Sequence, residues 1–373
     1  MAEHSQYMRR ALRLARRGYG RTSPNPIVGA VLVKRGRVIG NGWHHEAGAP
    51  HAEIEAIRNA QQRGHSAKGA TLYVTLEPCC TTGRTPPCTR AIVESGISEV
   101  VVGATDPNPS HCGRGFAALA EAGVKVATDV LRAECAAINE TFRHWIVHRT
   151  PFVTIKAAMT LDGKIATASG QSKWITGDRA REHGMHLRQG ADAILVGINT
   201  ILSDDPSLTL RPPGSSGGKP RGLRRIVLDA MARIPAQARV VSDSDAKQTT
   251  VVVSEFAPKE RVARLARQVK VVEAPSAEGY LDLKWLLRKL GEQEVTSLLV
   301  EGGGEVNASF LLQRLAQRVA FFYAPIILGG AKSRRGVGGA GIEGQEQILP
   351  LRNVVWRRLG PDWLMTAEVE QGS

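Results

Sequence analysis

Residues 71–80 read TLYVTLEPCC. The first six residues, rich in β-branched, aromatic and apolar types, are a buried-strand pattern, and Pro78 marks where the strand has ended. Upstream, Pro50 precedes HAEIEAIRNA, a helix-like run that opens on His51-Ala52-Glu53. Downstream, GRTPPC at 83–88 brings Cys88 nine residues after Cys79, just ahead of the short helix expected over TRAIVES, which Gly96 stops. Two candidate helix starts thus flank the end of one buried strand, and all three carry residues that bind metals.

One imidazole and two thiolates suit Zn²⁺, and three protein ligands leave the fourth position of a tetrahedral ion open, the arrangement of a catalytic site. His51, Cys79 and Cys88 are the candidate ligands. Zinc lowers the pKa of a bound water toward neutrality, and Glu53, two residues from the histidine, is the candidate proton carrier. The H-x-E and P-C pair is the signature of zinc nucleobase deaminases, in which ammonia leaves an amidine carbon. Their second cysteine usually follows three residues after the first; that position here is Thr82, and Cys88 is the next cysteine available. Cys79 is expected where the strand gives way to a helix, so backbone N–H groups would favour its thiolate. The competing reading is a closed structural knot with Cys80 as fourth ligand, although adjacent cysteines rarely both reach one metal. The other histidines, His44, His45, His183 and His186 among them, carry no defensible pattern.

Around this centre the chain alternates strand and helix patterns. IVGAVLVKRGRVIGNGW at 27–43 predicts a hairpin turning at K-R-G-R, and EVVVGA and GVKVAT predict further strands. A single helix is expected from about Ala133 to Val147, followed by Pro151 and a new strand, FVTIKAA. The later chain repeats the alternation: ADAILVG, RRIVLD, TTVVVS and SLLVEGG read as strands, and APKERVARLARQ, DLKWLLRKLGE and EVNASFLLQRLAQ as helices. Both halves are therefore α/β, with mainly parallel or mixed sheets covered on both faces. At 373 residues two domains are expected, with residues 1–147 forming the first and 148–373 the second. RPPGSSGGKPRG at 211–222 and LGGAKSRRGVGGAG at 328–341 read as glycine-rich surface loops.

Composition narrows the function. Hydrophobic residues make up 42% of the chain, which excludes a disordered protein. Forty-nine basic against 35 acidic residues give a net charge of +14, suited to phosphate-bearing ligands. Nucleic acid is the minority reading, because the basic residues are scattered and aromatic stacking platforms are few, at 5%. The arginines of the N-terminal stretch have no apolar core for a secretory signal, and no run spans a bilayer, so a cytoplasmic protein is expected. In that compartment the five cysteines are thiols or metal ligands.

HAE, TLYVTLEPCC, GRTPPC, DPNP at 106–109 and GRG at 113–115, with TSPNPIVGAVLV upstream, closely resemble the bifunctional deaminase/reductase of bacterial riboflavin biosynthesis. The resemblance continues through KAAMTLDGKIA, SGQSKWIT, ILSDDPSLTLR and VEGGGEVNASFL, nearly the whole chain. It implies an N-terminal cytidine-deaminase-like three-layer domain with a mixed sheet and a C-terminal α/β domain of the dihydrofolate-reductase type. It implies two steps: zinc-dependent deamination of a diaminopyrimidine carrying a phosphoribosylamino group, then NADPH-dependent reduction of the ribosyl chain to ribityl. The alternatives are a zinc deaminase acting on nucleic-acid bases and a non-catalytic zinc-stabilised binding protein. A homo-oligomer is expected.

The family's zinc ligands fall on His51, Cys79 and Cys88 and its catalytic glutamate on Glu53, in agreement with the reading of the residues themselves. Asn25 would help hold the pyrimidine. Cofactor contacts fall on Ala158, Trp174, Thr200, Asp204 and the Gly303, Gly304 segment running to Ser309; substrate contacts fall on Ser172, Arg188, Leu208, Arg211 and Glu301. Arg188 and Arg211 are chemically suited to clamp a phosphate bidentately, and Lys156 is a candidate for assisting ribose-ring opening. Gly302, Gly303 and Gly304 open a helix but lack the third glycine of a Rossmann fingerprint, Asn307 standing there; their backbone N–H groups can still cradle phosphate. Two departures stand out: Thr81 where relatives usually carry histidine, and Ala230 where they often carry serine.

Overall fold

The computed structural model describes residues 2–82, 86–172, 175–210, 222–277 and 279–371. Contacts divide the chain into two units, Met1–Arg149 and Thr150–Ser373.

The first unit contains strands β1 (Gly29–Lys34), β2 (Arg37–Trp43), β3 (Thr71–Leu76), β4 (Glu99–Ala104) and β5 (Lys125–Ala127) in the order β2-β1-β3-β4-β5. β1 runs antiparallel to β2 and β3, while β3, β4 and β5 are parallel, so the sheet is mixed. The β1–β2 hairpin turns on Arg35 and Gly36, both at positive φ (51° and 72°), as its tight turn requires. Strand alternation fills two cores. Ala30, Leu32, Leu72, Val74, Val100 and Val102 pack with helices α2 (Ala52–Gln62), α3 (Cys88–Glu94) and α4 (Arg114–Glu121). Val31, Val33, Tyr73 and Val101 face α1 (Ala2–Ala15) and α5 (Arg132–Ala137). Three layers result.

The helix expected from Ala133 to Val147 is two: α5 ends at Ala137 and α6 spans Glu140–His148. The break has a physical cause. The buried Asn139 side chain accepts from Ile27 N–H at 2.8 Å and donates to Ile27 C=O at 2.9 Å, satisfying the backbone that leads into β1 and leaving Asn139 outside either helix.

In the second unit, β6 (Phe152–Thr160), β8 (Ala193–Gly197), β9 (Arg224–Leu228), β10 (Thr249–Ser254), β11 (Lys270–Ala274), β14 (Ser297–Val300), β15 (Arg318–Ala324), β17 (Leu351–Leu359) and β18 (Asp362–Val369) form one sheet. Its order is β11-β10-β9-β8-β14-β6-β15-β18-β17, parallel from β11 to β15, with an antiparallel ribbon, β18 and β17, on one edge. Two small pairs lie apart: β7 (Lys164–Ala166) with β16 (Arg334–Arg335), and β12 (Ser276–Ala277) with β13 (Tyr280–Leu281). One face of the sheet packs against α11 (Leu283–Glu292) and α12 (Gly304–Leu312). The other packs against α7 (Asp178–Gln189), α8 (Ile198–Asp204), α9 (Arg239–Ser242) and α10 (Lys259–Ala266). Asp282 caps α11 by accepting from Trp285 N–H at 2.9 Å.

Candidate functional sites

In the first unit, β3 ends beside the N-termini of α2 and α3, and these three ends bring together the predicted ligands. His51 Nδ1 lies 3.5 Å from Cys79 Sγ and 3.3 Å from Cys88 Sγ, and all three donor atoms lie within 4.8 Å of one another. A tetrahedral zinc with ordinary Zn–N and Zn–S bonds has an N···S edge of about 3.6 Å. The donor set and its spacing therefore fit zinc. Among the described residues this is the one group of three or more His, Cys, Asp or Glu so arranged, and Cys80 does not belong to it.

Residues 80–82 are not helical; α3 starts at Cys88. The thiolate at Cys79 is favoured instead by the backbone N–H of Cys88, which donates to its sulfur at 3.3 Å. A hydrogen bond from the Cys88 thiol, opposed by burial and reinforced by His51, pulls Cys79 down to about 4, and the same bond and burial push Cys88 up. Metal binding needs the thiolate form, which the lowered value favours at Cys79. Glu53, in the first turn of α2 and 3% exposed, is pushed up to about 6 by burial, partly countered by His51. A carboxyl titrating there can both take and give a proton near neutral pH.

Asn25 lies at this site through a residue that sequence reasoning passed over. Buried His44 sits edge-on to His51, with ring centroids 5.2 Å apart. Its Nδ1 donates to Pro50 C=O at 3.1 Å, so in the neutral ring Nε2 accepts from Asn25 Nδ2, also at 3.1 Å. Burial lowers the His44 pKa, consistent with that neutral form. No spacing rule marks His44, because its role comes from a ring contact with His51 and a hydrogen bond with Asn25 that only the folded chain brings together.

Glu77 is a second omission. Its buried carboxylate accepts from the backbone N–H groups of Asp106, Gly113 and Gly115 at 3.1, 3.1 and 2.9 Å, fixing the 106–115 loop beside Pro78 and Cys79. That loop answers the departure at Thr81. His111 Nε2 lies 2.9 Å from the Thr81 hydroxyl, and its Nδ1 lies 3.3 Å from Asp106 Oδ2, so an imidazole stands next to position 81 although it comes from elsewhere in the chain.

The second unit carries a cleft of about 1040 Å³. Of the predicted reductase residues, Ala158, Ser172, Arg188, Thr200, Asp204, Leu208, Glu301, Gly303 and Gly304 all line it. Trp174 and Arg211 lie outside the described residues. Odd-numbered residues of β6 enter the core, whereas Lys156 and Ala158 alternate onto the cleft side. Ser172 donates to Asp204 at 2.9 Å. Gly304 must be glycine: a Cβ there would lie 2.4 Å from Arg335 C=O. Gly303 has nothing within 4 Å of its missing Cβ, so the N-terminus of α12 opens onto free space in the cleft, an arrangement suited to phosphate. At Ala230 the carbonyl accepts both the N–H and the hydroxyl of Ser254, at 3.0 and 2.9 Å.

Arg188 has an internal partner in this cleft. Its fork is engaged by Glu301, with Nε to Oε1 at 2.7 Å and Nη2 to Oε2 at 2.9 Å, and Lys156 Nζ approaches the same carboxylate at 3.4 Å. Burial opposes the Glu301 charge, but Arg188 and then Lys156 overcome it and hold the carboxyl at about 2. The clamp suggested for a phosphate is, in this structure, a clamp on an internal anion.

Comparison with known proteins agrees with this geometry. Residues 1–104 match the cytidine and deoxycytidylate deaminase zinc-binding region, and residues 151–365 match the RibD C-terminal domain. The chain is 42% identical over 361 residues to riboflavin biosynthesis protein RibD of Actinobacillus pleuropneumoniae, covering 96% of this chain and 93% of that one. It is 39% identical over 332 residues to RibD of Escherichia coli, covering 87% and 88%. Among solved structures, Acinetobacter baumannii RibD superposes with a TM-score of 0.87 at 34% identity, and the Thermotoga maritima diaminohydroxyphosphoribosylaminopyrimidine deaminase/5-amino-6-(5-phosphoribosylamino)uracil reductase with 0.83 at 36%; each match covers 99% of both chains. With both halves matched in order and relatives aligned nearly end to end, the chain belongs to the RibD family of riboflavin biosynthesis proteins.

Proposed function

We propose that the two activities of this bifunctional deaminase and reductase divide between residues 1–147 and residues 148–373. In the first part His51, Cys79 and Cys88 hold zinc and Glu53 moves the protons. When bound, zinc supplies a Lewis acid that makes a water acidic near neutral pH. Glu53 takes the proton of the attacking water and delivers it to the departing amino group, a relay that needs a carboxyl titrating near 6. Asn25, steered by His44, orients the pyrimidine. The observation that carries this reading is a buried carboxyl beside three converging zinc donors.

In the second part, Ala158, Trp174, Thr200, Asp204, Gly303 and Gly304 contact the cofactor, and Ser172, Arg188, Leu208, Arg211 and Glu301 contact the substrate. NADPH, when bound, supplies the hydride. Lys156, held by the charged Glu301 carboxylate, assists opening of the ribose ring, which exposes the carbon that accepts hydride. The test is to supply the phosphoribosylamino diaminopyrimidine and follow ammonia with and without NADPH. Prompt ammonia release without cofactor, followed by NADPH consumption once it is added, supports the reading; no ammonia until NADPH is present counts against two separable sites.

We hold the substrate to be a small phosphorylated pyrimidine rather than a base within nucleic acid, the protein to be cytoplasmic, and the assembly to be a homo-oligomer. No helix among the described residues is long and apolar enough to cross a membrane. Edge strand β17 leaves Val354, Val355 and Trp356 exposed, a template for pairing with a second copy. Sedimentation of a Val355→Lys variant as a smaller species than the parent would support that pairing.

A further inference from the structure

Six cations line the cleft of the second unit, and four of them are already engaged. Lys156 and Arg188 face Glu301, Arg181 pairs with Asp178, and Arg239 pairs with Asp205. The other two, Arg334 and Arg335, have no carboxylate partner among the described residues, and of these Arg334 is the one a side-chain hydrogen bond orients. Its Nη1 donates to the Ser203 hydroxyl at 3.0 Å. Ser203 lies on α8 between the predicted cofactor residues Thr200 and Asp204, so the guanidinium sits against the wall assigned to the cofactor and beside Gly170 of the loop that carries Ser172.

Residues 328–341 read in sequence as a glycine-rich surface loop, but in the fold the segment is fixed at many points. Leu161 N–H donates to Ile326 C=O, and Leu328 and Gly329 N–H donate to Asp162. Arg334 and Arg335 pair as β16 with β7. Gly336 N–H donates to Gly163 C=O, Asn307 donates to Gly336 C=O at 2.8 Å, and Gly338 N–H donates to Gly304 C=O. Gly170 leaves the second guanidinium nitrogen its room, since a Cβ there would lie 3.2 Å from Nη2. An arginine held on a fixed strand, oriented by a hydroxyl and uncompensated by any carboxylate, is a preorganised anion site.

We infer that Arg334 reads a phosphoryl group in the reductase cleft, with a guanidinium that, unlike that of Arg188, faces no carboxylate. The inference rests on the assignment of the cleft to the reductase. Two sources offer the same chemistry: the phosphates of the cofactor and the phosphate of the sugar substrate.

The experiment uses the full chain and the variants Arg334→Ala, Arg334→Lys and Ser203→Ala. Two quantities are measured: the NADPH dissociation constant without substrate, and KM and kcat for the deaminated substrate with and without its phosphate. A charge-assisted contact to phosphate predicts a rise of roughly tenfold to a hundredfold in one of the binding constants for Arg334→Ala. Arg334→Lys should recover part of it, Ser203→Ala should show a smaller rise in the same constant, and kcat should stay within about threefold. A rise in the NADPH constant identifies the cofactor as the source. A rise in substrate KM that disappears with the dephosphorylated substrate identifies the sugar phosphate. Unchanged constants in an Arg334→Ala protein that still reduces substrate overturn the inference alone, whereas wild-type protein that neither binds NADPH nor reduces overturns the assignment of the cleft as well.

Discussion

The two sites of this chain are built in opposite ways. The deaminase donors come from a short stretch, His51 to Cys88, and need only the ends of one strand and two helices to meet. The reductase cleft draws on residues from Lys156 to Gly339, spread over the second unit. A metal fixes a few atoms within a few ångströms and so leaves a compact signature in sequence; a dinucleotide and a sugar phosphate need a long lining, and no local spacing encodes it. The buried carboxylates are tuned in opposite directions as well. Glu53 is raised to about 6 by burial that His51 only partly offsets, whereas Glu301 is held at about 2 because Arg188 and Lys156 outweigh burial. One is poised to exchange a proton; the other is kept charged.

The largest effects test whether the sites are separable. Removing zinc with a chelator should abolish ammonia release while leaving NADPH oxidation on the already deaminated substrate intact, as a coupled assay of both products would record. Glu53→Gln should lower deamination by about 10²–10⁴-fold, the usual contribution of a general acid–base. Metal analysis of that variant should still find one zinc per chain, and loss of the metal would mean that Glu53 has a structural role instead.

The next effects test the contrast in charge. Arg188→Leu leaves Glu301 with Lys156 alone and should cost about 3 kcal/mol in urea unfolding of the second unit. The sign with pH follows from the depressed value. Unfolded, Glu301 titrates near ~4.3, and folded at about 2; its stabilisation is therefore complete above the unfolded value and lost as pH falls toward 2. The parent should lose stability over that window, and Arg188→Leu should lose less. Smallest is Asn139→Ala, which strands both backbone groups of Ile27 and should lower stability by about 2 kcal/mol. A change within experimental error would show that water or a shift of α6 replaces the side chain.

The strands were legible because apolar alternation survives in one dimension: residues 71–76 and 99–104 form β3 and β4 as their patterns predict. The convergence of His51, Cys79 and Cys88 was legible for the same local reason. The break at Asn139 was not, because its cause lies more than a hundred residues away at Ile27. His44 and Glu77 were missed because no spacing rule joins them to their partners: the fold sets His44 against His51 and Asn25, and Glu77 against the 106–115 loop. Arg188 was read as a phosphate clamp from its side-chain chemistry alone; only the fold shows that Glu301 occupies it. Likewise, Arg334 lay in a glycine-rich run that gives no sign of the strand pairing and hydrogen bonds that fix it.

The central claim is a three-ligand zinc site with its fourth position left to a reactant. X-ray absorption at the zinc edge of the metal-loaded protein measures it most directly. Two sulfur scatterers at about 2.3 Å with light atoms at about 2.0–2.1 Å, unchanged in Cys80→Ser, is the predicted result. A third sulfur that disappears in Cys80→Ser would mean a sealed structural site and would contradict the account.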